Sequence, residues 1–184
     1  MFTTKKRVGG AVAGLLSLAL LPQIAAAHGN ASLLAPVVVG TLDACPVAGA
    51  SEFDDSWGDP RSSGREHEGV DMVADRGTPV VAVFDGDAEF KRSNLGGNAI
   101  WLTATTGERF YYAHLDAWEG SSRAVRAGEV IGYVGQSGNA VGDHLHFETR
   151  AGEVAKNPYP YVDAACRPGR ASRSAPAPVR PLLR

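Results

Sequence analysis

From Cys45 onward, apolar and polar positions alternate in short runs that stop at glycines, the pattern of brief strands joined by tight turns. In TPVVAVFDGDAEF, Val80 to Phe84 and Ala88 to Phe90 flank an Asp-Gly pair, which predicts a hairpin turning at Asp85 and Gly86. A second hairpin is predicted across Thr105 to Gly107 in NAIWLTATTGERFYYAHL, where β-branched and aromatic residues suit a packed pleated face. GEVIGYVGQSG predicts a strand that ends in a loop, and HLHFETR one strand more. No segment carries a long 3.6-residue apolar period, so the expected fold is all-β or β-dominated.

The pattern breaks down at both ends. Residues 1–27 combine Lys5, Lys6 and Arg7 with an apolar run from Val8, then Pro22 and the small triplet Ala25 to Ala27, which reads as a cleaved secretory signal. An uncleaved anchor is the alternative, and Gly9, Gly10, Pro22 and Gln23 shorten its apolar centre; no stable membrane insertion is expected once the signal is removed. Residues 28–44 read as a linker or first strand, 45–166 as the folded domain, and 167–184 as a disordered tail rich in proline, serine and arginine. The expected location is outside the cytoplasm, at the cell wall or in the periplasm. Oligomeric state leaves no sequence signal.

Charge and cysteine usage narrow the class. All 20 acidic residues lie between Asp43 and Asp163, with 10 of the 18 basic ones, so the folded part is strongly acidic. That argues against nucleic acid as a partner, since phosphate binding needs a basic surface. Cys45 and Cys166 bracket the folded part, and an even pair in an exported protein predicts a disulfide. Neither sits in CxxC or beside a histidine, which weakens the alternative of thiolate metal ligands.

Four of the five histidines fall in three segments: HEGVD at His67 to Asp71, YAHL around His114, and HLHFE at His144 to Glu148. Two imidazoles and a carboxylate suit Zn²⁺ while leaving a coordination position open, as catalytic zinc requires. HEGVD differs from HExxH in having aspartate at the second ligand position, and Gly69 with Val70 disfavours a helix, so a turn or short strand is expected. In HLHFE, strand alternation projects His144 and His146 to one face while Leu145 and Phe147 enter the core, a geometry for one metal and one base. Glu148 continues that face and either orients a ligand imidazole or makes an ordinary salt bridge. Glu68 is a rival base by analogy with HExxH, but on an extended segment it points away from its neighbours.

With these segments in hand, roughly residues 57–161 resemble the lysostaphin and LytM-type zinc metallopeptidases, which cut peptide bonds in bacterial peptidoglycan. The resemblance rests on His67 with Asp71, on YAHL and on GYVGQSGNAVGDHLHFE, with GTPV at Gly77 to Val80, AGEVIG at Ala127 to Gly132 and Asn157-Pro158 beside them. It implies an antiparallel β-fold with a zinc-binding cleft, one Zn²⁺ per chain held by His67, Asp71 and His146, and a catalytic pair of His114 and His144. Asn139, Ala140 and Val141 depart from the family's usual Ser, Thr and Gly before the HLH strand, which bears on substrate preference. The implied substrate is peptidoglycan peptide, in cross-bridge or stem. Two alternatives stand beside this expectation: a noncatalytic wall-binding or hydrolase-activating module on the same fold, and a general protease that prefers glycine-rich proteins.

Overall fold

A computed structural model of the chain describes residues 41–167. The expected signal, all of residues 28–40 and residues 168–184 of the tail lie outside the described part. Ten strands run in chain order: β1 (Val70–Val73), β2 (Pro79–Val81), β3 (Gly86–Ser93), β4 (Gly97–Ala104), β5 (Arg109–Leu115), β6 (Ala117–Trp118), β7 (Arg123–Val125), β8 (Val130–Tyr133), β9 (His144–Ala151) and β10 (Val154–Lys156). One short helix, α1 (Tyr159–Cys166), follows Pro158. All strand pairs are antiparallel, as expected of a β-dominated chain.

The larger sheet has the order β1-β9-β5-β4-β3-β7, and the smaller one β2-β8-β6. Strand β9 is the axis of the larger sheet. On one side it pairs with β5; on the other β1 takes its first half and β10 its last residues. Alternation along these strands sends Met72, Leu145, Phe147, Tyr112, Ile100 and Leu102 inward, none of them measurably exposed. The same alternation leaves Asp71, His144, His146 and Glu148 on the opposite, open face.

The hairpin across Thr105 to Gly107 forms as expected, joining β4 to β5. The one expected at Asp85-Gly86 does not. Strand β2 pairs with β8 in the small sheet and β3 with β4 and β7 in the large one, so this turn carries the chain between sheets. The physical reason is continuous burial: Val80 to Val83 are each at most 4% exposed, enclosed on both sides by the shared core instead of alternating across one face. Helix α1 is too short to leave a periodic signal. It buries Val162 and carries Cys166, which forms the expected disulfide with Cys45 across 121 residues. Among the described residues, no helix is long and apolar enough to cross a membrane.

Candidate active site

On the open face, β1 and β9 bring three side chains to a point. Asp71 and His146 are directly paired across the strands, and His67 precedes β1 in the turn that enters it. Gly69 makes the approach possible: a Cβ there would lie 2.6 Å from His146 Cε1 and from the Phe147 carbonyl oxygen, so the imidazole packs against bare backbone. His67 Nε2, Asp71 Oδ1 and His146 Nδ1 form a triangle with edges of 2.9, 3.0 and 3.1 Å.

Hydrogen bonds behind the triangle decide what its corners are. His67 Nδ1 lies 2.8 Å from the Ser56 carbonyl oxygen, to which it must donate, so Nε2 carries a lone pair. His146 Nε2 donates to Glu148 Oε1 at 2.9 Å, which in the neutral ring leaves Nδ1 with a lone pair. Two lone pairs and a carboxylate oxygen therefore converge with no donor among them. Without a metal, one proton on His146 has to serve Asp71 and His67 together. Burial opposes that proton, but the bonds to Asp71 and Glu148 prevail and push the His146 pKa up to about 9. Burial would likewise raise Asp71, yet the hydrogen bond from His146 and the neighbouring imidazoles hold its carboxyl well below the usual range. The pocket calls for a cation. Tetrahedral zinc at roughly 2.0–2.2 Å from each donor spaces its ligand atoms about 3.3 Å apart, close to the observed edges. Among the described residues, these three form a group that could hold a metal ion.

His114 and His144 stand beside this triangle. His144 Nε2 is 3.8 Å from Asp71 Oδ1, and the His114 and His144 rings are 4.8 Å apart between centroids. Each fixes its tautomer on a backbone carbonyl: His144 Nδ1 donates to Gly142 at 3.0 Å and His114 Nδ1 to Ser137 at 2.9 Å. Both Nε2 atoms are left as acceptors. Burial, opposed by the Ser137 bond and helped by the neighbouring imidazoles, lowers the His114 pKa to about 4. His114 also adopts φ 67°, rare for a residue with a side chain, and its N–H is held by the Gly96 carbonyl oxygen at 2.8 Å.

The structure thus brings His67, Asp71, His114, His144 and His146 into one cleft of about 1320 Å³. Glu68 borders it too, but its carboxylate pairs with Arg150. Glu148 does orient the His146 ring. Sequence reasoning missed Arg61, whose Nη2 donates to the outer oxygen of Asp71 at 2.6 Å, and Arg150, which bonds Glu148. Arg150 had a signal, since it continues the alternation His146, Glu148; Arg61 had none. The four large apolar side chains exposed among the described residues, Val73, Leu95, Val141 and Val154, all line this cleft. Apolar surface gathered at a groove marks a binding face.

The family described as Peptidase family M23 matches residues 65–158. The DD-carboxypeptidase/endopeptidase Mpg of Neisseria meningitidis is 44% identical over 95 residues, covering 51% of this chain and 22% of that protein. The L-Ala–D-Glu endopeptidase of Bacillus subtilis is 32% identical over 136 residues, covering 65% and 42%. Among solved structures, the catalytic domain of the antimicrobial peptidase lysostaphin from Staphylococcus simulans superposes with a TM-score of 0.56 at 32% identity, covering 61% of this chain and 92% of that one. The chain spans less than half the length of either curated relative.

Proposed function

Because the chain belongs to peptidase family M23, we infer that it is a secreted zinc endopeptidase that hydrolyses peptide bonds in bacterial peptidoglycan, in the cross-bridge or the stem. One observation carries the reading: three acceptor atoms about 3 Å apart, each fixed from behind, beside two imidazoles whose Nε2 atoms are free to accept. The relatives' names, a DD-carboxypeptidase/endopeptidase and an L-Ala–D-Glu endopeptidase, support peptide bonds that include D-amino acids as the substrate class. Export rests on residues 1–27, and the wall or periplasm follows from the substrate.

His67, Asp71 and His146 would hold the zinc. When bound there, zinc supplies Lewis acidity, acidifying water and polarising a peptide carbonyl. His114 and His144 provide the proton chemistry. With Nδ1–H tied to carbonyls, either ring accepts a proton only at Nε2, and that of His144 lies 3.8 Å from Asp71 Oδ1. A proton taken up there can stabilise a developing oxyanion or pass to the leaving amine. His114, whose pKa is depressed, gives up such a proton readily. Glu68 takes no part, because its carboxylate is bonded to Arg150. The apolar rim of Val73, Leu95, Val141 and Val154 receives aliphatic peptide side chains.

The test is digestion of purified peptidoglycan of several chemotypes, with and without a chelator, reading new amine ends. Chelator-sensitive release from at least one chemotype is expected. Bound zinc without new amine ends from any wall would favour a noncatalytic wall-binding module, and casein or elastin turnover equal to wall turnover a general protease.

A further inference from the structure

One cation outside the metal-binding atoms is bonded to both ligand-bearing segments. Arg150 stands four residues past His146 on β9. Its Nε donates to Glu148 Oε2 at 2.6 Å, its Nη1 to the Glu153 carbonyl oxygen at 2.9 Å, and its Nη2 to Glu68 Oε2 at 2.5 Å. All three nitrogens are committed, and the guanidinium carbon lies 5.6 Å from the Trp101 ring centroid. Glu148, only 6% exposed, holds His146 with its other oxygen. Glu68 follows His67 directly in the chain. A buried carboxylate between an imidazole and a guanidinium keeps its acceptor role only while the cation is in place.

We propose that Arg150 is a positioning residue for the metal centre: through Glu148 it fixes the tautomer and orientation of His146, and through Glu68 it ties the His67 segment to the same point. The proposal rests on His67, Asp71 and His146 being metal ligands. Only a planar fork reaches Glu148, Glu68 and the Glu153 carbonyl together, so lysine restores the charge without the geometry. The fold supplies a control. Arg109 stacks on the same Trp101 at 4.5 Å and pairs with the Glu153 carboxylate at 2.6 Å, yet its side chain bonds neither Glu148 nor Glu68.

The experiment measures zinc affinity of the metal-free full chain against a chromophoric chelator, together with the visible spectrum of the Co²⁺-loaded protein. Arg150→Ala and Glu148→Gln are expected to weaken zinc roughly 10–100-fold and to alter the cobalt spectrum, with Arg150→Lys in between. Arg109→Ala is expected to bind zinc as the wild type does. Wild-type affinity and spectrum in a folded Arg150→Ala would overturn the proposal, whatever Glu148→Gln shows. Should Arg150→Ala not fold, Glu148→Gln and Arg150→Lys decide it by the same readouts. The underlying metal reading fails separately, if the wild type takes up no zinc or if His146→Ala holds it as tightly as the wild type.

Discussion

On the β1–β9 side of the cleft, His146 lies between two carboxylates and its pKa rises to about 9; towards the end of β5, with ring centroids 5.9 Å away, His114 is tied to a backbone carbonyl and falls to about 4. The same side chain serves opposite ends because its partners differ. Carboxylates on both ring nitrogens attract positive charge, which suits a metal ligand. Burial against a neutral carbonyl keeps an imidazole uncharged and its Nε2 available, which suits acid–base work. The supports differ in kind as well. The proposed ligand half is built from the paired strands β1 and β9, the turn that carries His67 and an ion-pair relay. The acid–base half hangs from strand ends and glycine-rich loops, and His114 carries backbone strain there.

The largest expected effect separates the two halves directly. His144→Ala or His114→Ala should lower wall hydrolysis by roughly 10²–10⁴-fold while leaving zinc content at one per chain. His67→Ala or Asp71→Ala should remove zinc and activity together. Metal analysis beside a muropeptide assay checks this, and loss of zinc in His144→Ala would erase the division of roles.

A smaller effect follows from pH. In the metal-free chain the raised His146 pKa contributes stability that is fully present below the unfolded value near 6.5 and lost as pH rises through about 9. On the proposed assignment zinc would take that proton's place, so its apparent affinity should rise about tenfold per pH unit between roughly 7 and 9 and then level off, with about one proton released per ion below pH 9. Calorimetry in buffers of different ionisation heat reads that proton. His114 has the opposite sign: the unfolded chain takes up its proton first, so stability falls as pH drops from about 6.5 toward 4. An NMR titration of its ring should show it still neutral at pH 6.

The smallest effect on the centre comes from the disulfide. Replacing Cys45 and Cys166 by serine removes a closure of 121 residues and should cost about 4–5 kcal/mol of stability on the chain-entropy estimate. Zinc affinity should be unchanged. A fall in affinity together with stability would mean that the ligand half depends on how the ends of the domain are tied.

Much of this was legible in the sequence because β9 obeys a period of two: His144, His146 and Glu148 share a face while Leu145 and Phe147 fill the core, and Arg150, which the same period would have reached, was missed. A turn or short strand at His67 to Asp71 was expected because Gly69 with Val70 disfavours a helix, and the structure has a turn leading into β1 there. What was not legible depended on long-range packing. Residues 80–83 form an apolar run that fits a hairpin arm or a fully enclosed segment equally well, and only the second sheet decides between them. Arg61 reaches Asp71 from a loop with no periodicity, and the carbonyls of Ser56, Gly142 and Ser137 that set the tautomers are backbone atoms any residue could provide.

The convergence of three lone-pair corners on one cation can be tested most directly by anomalous diffraction at the zinc edge, on crystals grown with one equivalent of zinc. A single peak is expected roughly 2.0–2.2 Å from His67 Nε2, Asp71 Oδ1 and His146 Nδ1. A peak held by His114 or His144 in place of one of these, or none within the triangle, would contradict it.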